Sequence, residues 1–275
     1  MKEGRGLGSK NRKGQITIFV ILAIVIVVAG VLIYFFYPKI QSTSNSIPEN
    51  PKVYMQNALE TTLQEKATTI GKNGGSLNSE STSGVSEINY PYINYNGSKV
   101  EYLCYTNKYY KKCTVQRVLL VQHIENELKT NLKSEVSKYF SQLVSDYKSK
   151  GYDVQMNEGD YDVNLLPNKI LLHSNTSVVL TKGSEAPRRY SSFNIVIDNN
   201  LYELASIARV IVNWEKTYGD SDPTYFMNFY PELKIEKKQL SDGVRVYTIE
   251  DRNTKDKFQF ASRSVVWPLG ANFNT

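Results

Sequence analysis

The chain has 275 residues, 41% of them hydrophobic, and a formal net charge of +6 at pH 7. That length is enough for one sizeable hydrophobic core. The positive charge does not indicate nucleic-acid binding, because five basic residues and one acidic residue fall within residues 1–14. The rest of the chain is almost balanced, with 28 basic and 26 acidic residues. We therefore expect no nucleic-acid partner.

The first predicted element is a transmembrane helix. Residues 16–37 contain no charged side chain and are almost entirely apolar. A helix of that length rises about 33 Å, which is enough to cross the hydrocarbon core of a bilayer. Because basic residues cluster ahead of it, the positive-inside rule places the N-terminus in the cytoplasm and the bulk of the chain outside. The sequence thus predicts a single-pass protein of the cell membrane, with the lipid bilayer as a partner.

The junction ahead of this helix, residues 12–19, reads RKGQITIF. A basic leader that ends in Lys-Gly, followed by Gln and at once by an apolar helix, resembles the class III signal peptide of archaeal type IV pilin-like surface proteins. The resemblance covers about 25 residues and implies cleavage between Gly14 and Gln15 by a prepilin-type peptidase. Phe19 stands where that family often has Glu. An uncleaved anchor with an ordinary basic flank is the alternative.

These features divide the chain into four parts. Residues 1–14 are the basic cytoplasmic leader, and residues 15–37 are the transmembrane helix. Residues 38–51 are rich in Ser, Asn and Pro, which is typical of a flexible stalk. Residues 52–275 are predicted to form one extracytoplasmic domain, and a further boundary near Gly151 is the alternative.

Three helices are predicted in this outer domain, because apolar side chains recur with a period near 3.6 residues in three segments. The segments are residues 52–70, 115–150 and 201–218. Gly71 and Gly151 are suited to end the first two helices. The third helix carries a narrow polar stripe, whose members are Glu203, Ser206, Arg209 and Asn213.

Segments with a period near two predict strands joined by antiparallel turns. A hairpin is predicted within residues 100–115, in a Tyr-rich region suited either to contacts with a partner or glycan or to ordinary half-exposed strands. Seven further strands are predicted at residues 161–165, 169–173, 177–182, 192–198, 233–237, 244–250 and 257–263. The predicted fold class is therefore α+β: the transmembrane helix, plus antiparallel sheet packed with about three helices.

Two kinds of covalent modification are predicted in the outer domain. Cys104 and Cys113 lie on the two arms of the predicted hairpin, and in an oxidising compartment such a pair most often forms a disulfide. Free thiols are the alternative. Asn96 and Asn175 each begin an Asn-x-Ser/Thr sequon, so both are candidate glycosylation sites where they face outward.

The sequence contains no catalytic motif with recognisable spacing. The two histidines, His123 and His173, stand in no metal-spaced group. Acidic turns at residues 158–162 and 220–222 are close enough to share a calcium ion, but Asp and Gly are also what ordinary turns contain. We therefore expect no metal site, no cofactor and no enzymatic activity; a membrane-tethered hydrolase is the least supported class.

The leading functional hypothesis is a non-enzymatic protein displayed on the cell surface. It would act as a pilin-like subunit or as an interaction module that contacts like subunits, cell-surface proteins or glycans. The alternative is an uncleaved single-pass receptor that binds a soluble ligand or glycan. The sequence names no particular partner.

Overall fold

The computed structural model describes residues 25–28, 48–77 and 91–264. The chain divides into two compact units, residues 1–46 and residues 47–275. In the first unit, the four described residues are helical. Among the described residues, no helix combines the length and the apolar character needed to cross a membrane.

Several predicted features fall outside the described residues. The cleavage junction at Gly14 and Gln15 is one of them, and so is the transmembrane segment 15–37 apart from its four helical residues. Of the predicted stalk, only residues 48–51 are described, and Pro51 already belongs to a helix.

Four α-helices lie in the described residues between 51 and 229. They are α1 (Pro51–Asn73), α2 (Leu120–Ser149), α3 (Leu201–Tyr218) and α4 (Pro223–Phe229). The third predicted helix matches α3 at both ends. The short helix α4 was not predicted. It forms because the Asp222 side chain accepts a hydrogen bond from the Thr224 amide at 2.9 Å and proline occupies the first turn.

The helix α1 continues through Gly71, where the sequence predicted its end. The helix ends at Gly74 instead, whose φ of 83° forms a left-handed C-cap. A Cβ atom at position 71 would lie 2.3 Å from the carbonyl oxygen of Lys257. Glycine is therefore needed at position 71 for close packing against a strand, not as a helix stop.

The helix α2 begins at Leu120, five residues later than predicted. Thr114 and Val115 form a short strand instead, which pairs with residues 104 and 105. The disulfide at Cys113 ties the start of this strand to the same neighbour. The predicted hairpin and the predicted helix both included Val115, and the structure places it in the strand.

Within the described part of the chain, twelve strands form three sheets. The first sheet contains β1 (Tyr92–Tyr95), β2 (Ser98–Tyr105), β3 (Thr114–Val115), β10 (Leu233–Gln239), β11 (Val244–Asp251) and β12 (Lys257–Arg263). The second contains β4 (Asp153–Asn157), β7 (Ser177–Thr181) and β8 (Arg188–Tyr190). The third contains β5 (Tyr161–Leu166), β6 (Lys169–Ser174) and β9 (Phe193–Asp198).

The strand order is β1-β2-β12-β11-β10 in the first sheet, with β3 on β2; β4-β7-β8 in the second; and β5-β6-β9 in the third. One pair departs from the antiparallel prediction, because β2 and β12 are parallel. Strands joined by a tight turn must be antiparallel, but about 150 residues separate β2 from β12, so either direction is open to them. The α+β class is confirmed, with a mixed first sheet.

One apolar core joins the helices to the three sheets. Fully buried examples from five different elements are Leu59, Leu128, Phe193, Ile211 and Phe258. A smaller cluster consists of Val100, Tyr102, Val244, Val246 and Ala261. Since side chains alternate along a strand, this cluster covers the other face of the first sheet. The helix α3 packs against β2, β3, β11 and β12, and this packing creates the groove described next.

Candidate functional site

A groove with a volume of about 570 Å³ lies between α3 and the segment that connects β2 and β3 to α2. The polar side chains of one wall are Ser206, Arg209, Asn213 and Lys216 of α3. Their spacings of three, four and three place them on one helix face. Ten residues of helix rise about 15 Å, so this polar stripe follows the groove for that distance.

The opposite wall of the groove is mainly apolar. It is formed by Leu103, Val115, Val118 and Leu120. Leu103 and Leu120 are buried beneath the groove floor, whereas the side chain of Val118 is 70% exposed at the rim. The α3 wall also contains two valines, one of them the 45% exposed Val210, so the groove has one mainly polar, cationic wall and one mainly apolar wall with an exposed edge.

The predicted disulfide is confirmed, and it stabilises the apolar wall. Cys104 and Cys113 are bonded, both are buried, and their Cα atoms lie 5.3 Å apart. Leu103 precedes one cysteine directly, and Val115 follows the other by two positions. The amide of Gln116 also donates to the Leu103 carbonyl at 2.9 Å. The bridge therefore holds together the two chain segments that line this side of the groove.

Arg117 is the third basic residue that lines the groove, and it is held by a buried carboxylate. Its Nε donates to Glu101 Oε1 at 2.7 Å, and the Glu101 side chain is only 1% exposed. No acidic side chain is among the described residues that line the groove. Because Glu101 balances Arg117, the groove retains an excess of two positive charges, from Arg209 and Lys216.

Behind Arg117 lies a buried polar cluster of Ser76, Glu101 and His123. The Ser76 hydroxyl donates to Glu101 Oε2 at 2.6 Å, and His123 Nε2 lies 2.9 Å from the same hydroxyl oxygen. Since the serine proton is directed to the carboxylate, we assign the Nε2 proton to histidine, which donates to serine. The cluster connects the end of α1 with β2 and α2.

Burial sets the protonation of this cluster. Desolvation raises the pKa of Glu101, and the Arg117 charge opposes that rise. Desolvation, followed by the nearby Arg117 charge, lowers the pKa of His123 to about 4. Histidine is therefore neutral near pH 7. Glu127, which accepts from the Leu77 amide at 3.1 Å, also has a pKa raised by burial.

This Ser-His-carboxylate cluster is not arranged as a hydrolytic triad. In a triad the histidine accepts the serine proton and is itself held by the carboxylate. Here the carboxylate of Glu101 bonds to serine directly, and His123 contacts the same hydroxyl as a donor in the tautomer assigned above. Ser76 is also only 3% exposed. We interpret the cluster as positioning Arg117 at the groove.

A second buried carboxylate, Glu215, attaches the polar wall to the first sheet. Arg245 Nη1 donates to it at 2.9 Å, and the Tyr247 hydroxyl also donates to it. Burial raises the pKa of Glu215, and the Arg245 charge opposes this rise. The sequence analysis did not single out Glu215. Its position one helical turn after Ile211, on the apolar face of α3, is the signal that could have marked it.

The two predicted glycosylation sequons have different surroundings. Asn96 is exposed at the turn between β1 and β2, with a φ of 48°. Asn175 is exposed as well, but the hydroxyl of Thr176 in its sequon is fully buried. That hydroxyl accepts from Ser174 Oγ at 2.9 Å and from the Gly159 amide at 3.2 Å. In the first sequon, by contrast, Asn96 and Gly97 are exposed and Ser98 is half-buried.

The acidic turns considered for calcium lie against basic side chains. Lys129 Nζ lies 3.5 Å from Asp160 and 2.7 Å from Asp162, and Lys237 Nζ lies 2.9 Å from Asp220. Across residues 25–28, 48–77 and 91–264, no three His, Cys, Asp or Glu side chains are grouped to hold a metal ion.

Sequence reasoning singled out three of the groove's polar residues, Ser206, Arg209 and Asn213, without assigning them a function. It did not single out Lys216 or Arg117, because nothing in their neighbourhood in sequence marks them.

No protein-family model, curated protein or solved structure matches this chain. The functional argument therefore depends on the groove and on the residues that shape it.

Proposed function

We propose that this protein is a single-pass, membrane-anchored surface module that acts by binding a partner in the groove, not by catalysis. The observation that carries the proposal is the groove itself, with its cationic wall on α3 and its apolar wall on the β2–β3–α2 side. Concave sites with an apolar surface and a few convergent polar groups are the usual places for ligand recognition. A disulfide and two buried salt-bridged carboxylates hold these walls in place.

The sequence supports placement of this module outside the cell. The apolar segment 16–37 and the basic leader orient the N-terminus toward the cytoplasm. The buried disulfide is typical of a compartment where thiols are oxidised. Protease added to intact cells should therefore degrade the unit of residues 47–275.

We also propose that the leader is cleaved between Gly14 and Gln15, on the strength of the class III junction. Mass spectrometry of the mature protein tests this, and an intact leader would remove the processing step while leaving the anchored module in place. The same junction favours a second candidate function, a pilin-like subunit. Phe19, at the position where such subunits often carry Glu, weighs against a major filament subunit.

Binding in the groove is testable in cells with a photo-crosslinking residue. We would replace Val118, at the exposed rim, with p-benzoylphenylalanine in the full-length protein. Irradiation should give a defined adduct, and Ser206→Trp, which fills the groove, should suppress it. The control places the same residue at Val196, which is 39% exposed on β9 and does not line the groove. Equal adducts at both positions, or adducts that persist with the groove filled, would contradict the proposal.

A further inference from the structure

The different chemistry of the two groove walls restricts what can bind between them. The α3 wall offers Arg209 and Lys216, with Ser206 and Asn213 as additional hydrogen-bonding groups and the exposed Val210 among them. The facing wall offers mainly aliphatic side chains, including the exposed Val118. A complementary occupant therefore needs negative charge toward the two cations of α3 and apolar groups toward the facing wall, over about 15 Å.

An extended peptide can meet both walls at once. Successive side chains of a strand point in opposite directions, so a segment in which acidic and apolar residues alternate presents one kind to each wall. Five extended residues span about 16 Å, which matches the length of the polar stripe.

The spacing of the two cations also suits such a segment. Lys216 follows Arg209 by seven helical positions, which is about 10.5 Å along the axis. Acidic side chains on one face of a strand recur about every 7 Å, so two or three of them lie within reach of these long, flexible cations.

We propose that the groove binds an extended peptide segment of a partner protein in which acidic and apolar residues alternate. This inference rests on the proposed function, since it names the chemistry of what the groove binds. Arg209 and Lys216 select the acidic side chains, and Val115 and Val118 contact the apolar ones. Arg117, oriented by its bond to Glu101, also lines the groove, but its charge is balanced by that carboxylate. The spacing of the cations on one wall and of the apolar side chains on the other, and not the charge alone, favours a peptide with the alternating pattern.

The test uses the full-length protein in nanodiscs of zwitterionic lipid and a fluorescein-labelled (Asp-Val)₃ peptide, followed by fluorescence anisotropy. Two peptides serve as controls: (Lys-Val)₃, which reverses the charge, and Asp₃Val₃, which has the same composition without the alternation. We expect saturable binding of (Asp-Val)₃ alone, weakened by added salt because exposed ion pairs are screened. Equal binding of the alternating and block peptides would overturn the inference.

Charge reversal in the groove gives the second readout. The double variant Arg209→Glu/Lys216→Glu should weaken binding of (Asp-Val)₃ by about tenfold, equal to about 1.4 kcal/mol. The matched control is Lys234→Glu/Lys238→Glu, which reverses two exposed lysines on β10 that do not line the groove, and it should leave binding unchanged. Equal loss in both variants, or no loss in either, would refute the assignment of these two residues.

The outcomes also separate this inference from the proposed function. If the adduct at position 118 forms in cells but (Asp-Val)₃ does not bind, the peptide assignment is wrong and the groove remains a binding site. If decanoate binds instead, and depends on Arg209 and Lys216, the occupant is an anionic amphiphile and the peptide assignment is again wrong. If there is neither an adduct nor binding, both proposals are refuted.

Discussion

Removing the disulfide gives the most direct test of how this domain is stabilised. The variant Cys104→Ala/Cys113→Ala opens a loop with a sequence separation of nine residues. In the chain-entropy treatment, a loop of this size contributes about 2.6 kcal/mol to the free energy of unfolding. For a unit of 150–250 residues, each kcal/mol shifts the melting temperature by about 2–4 °C. We therefore expect the melting temperature to fall by about 5–10 °C.

The assay is thermal unfolding of the full-length protein in nanodiscs, followed by circular dichroism with and without a reducing agent. Because both cysteines are buried, reduction at room temperature should be slow and should become complete only as the protein unfolds. The double variant in reducing agent is the control, and its melting temperature should not change further.

The same variant should also loosen the apolar wall of the groove, because the bridge holds Leu103 and Val115 together. A melting temperature within about 1 °C of wild type would refute the stabilising role assigned to the bridge. A clear drop in melting temperature with unchanged binding of the alternating peptide would show that the β2–β3 pairing alone maintains the wall.

Three further predictions concern single positions. His123 has a native pKa of about 4 against 6.5 as its ordinary value, so its contribution to stability is complete above pH 6.5 and is lost as the pH falls toward 4. When the free energy of unfolding is measured with urea across this pH range, the His123→Gln variant should lack up to about 3 kcal/mol of its pH-dependent change. Gly71→Ala should destabilise the protein by about 1–3 kcal/mol, because its Cβ would meet the Lys257 carbonyl. Mass spectrometry of the native protein should find glycan on Asn96 and none on Asn175.

Each of these predictions has its own control. Glu101 and Glu127 have raised pKa values, so their contribution to stability changes with pH in the direction opposite to that of His123. The difference between wild type and His123→Gln therefore isolates the contribution of His123. For Gly71→Ala the control is Thr69→Ala, an exposed position in α1 expected to change stability by less than about 0.5 kcal/mol. Helix propensity alone predicts that Gly71→Ala stabilises the protein, and that result would contradict the packing argument. Glycan on the second sequon would show that modification precedes burial of Thr176.

The sequence by itself determined the features that depend on near neighbours. The bounds of α3 follow from apolar residues that recur every turn between Leu201 and Tyr218. The bounds of most strands follow in the same way from alternation, and the bridge between Cys104 and Cys113 joins residues close in sequence. These features could be predicted because the physical cause lies within the segment itself.

Only the tertiary structure decided the rest. The parallel pairing of β2 with β12, the partner of Glu215 and the two walls of the groove all depend on residues far apart in the chain meeting in space. The polar stripe of α3 was visible in the sequence, but the position of Val118 opposite it was not. A local pattern reports which side of a helix is polar; what faces that side is set by how the core packs.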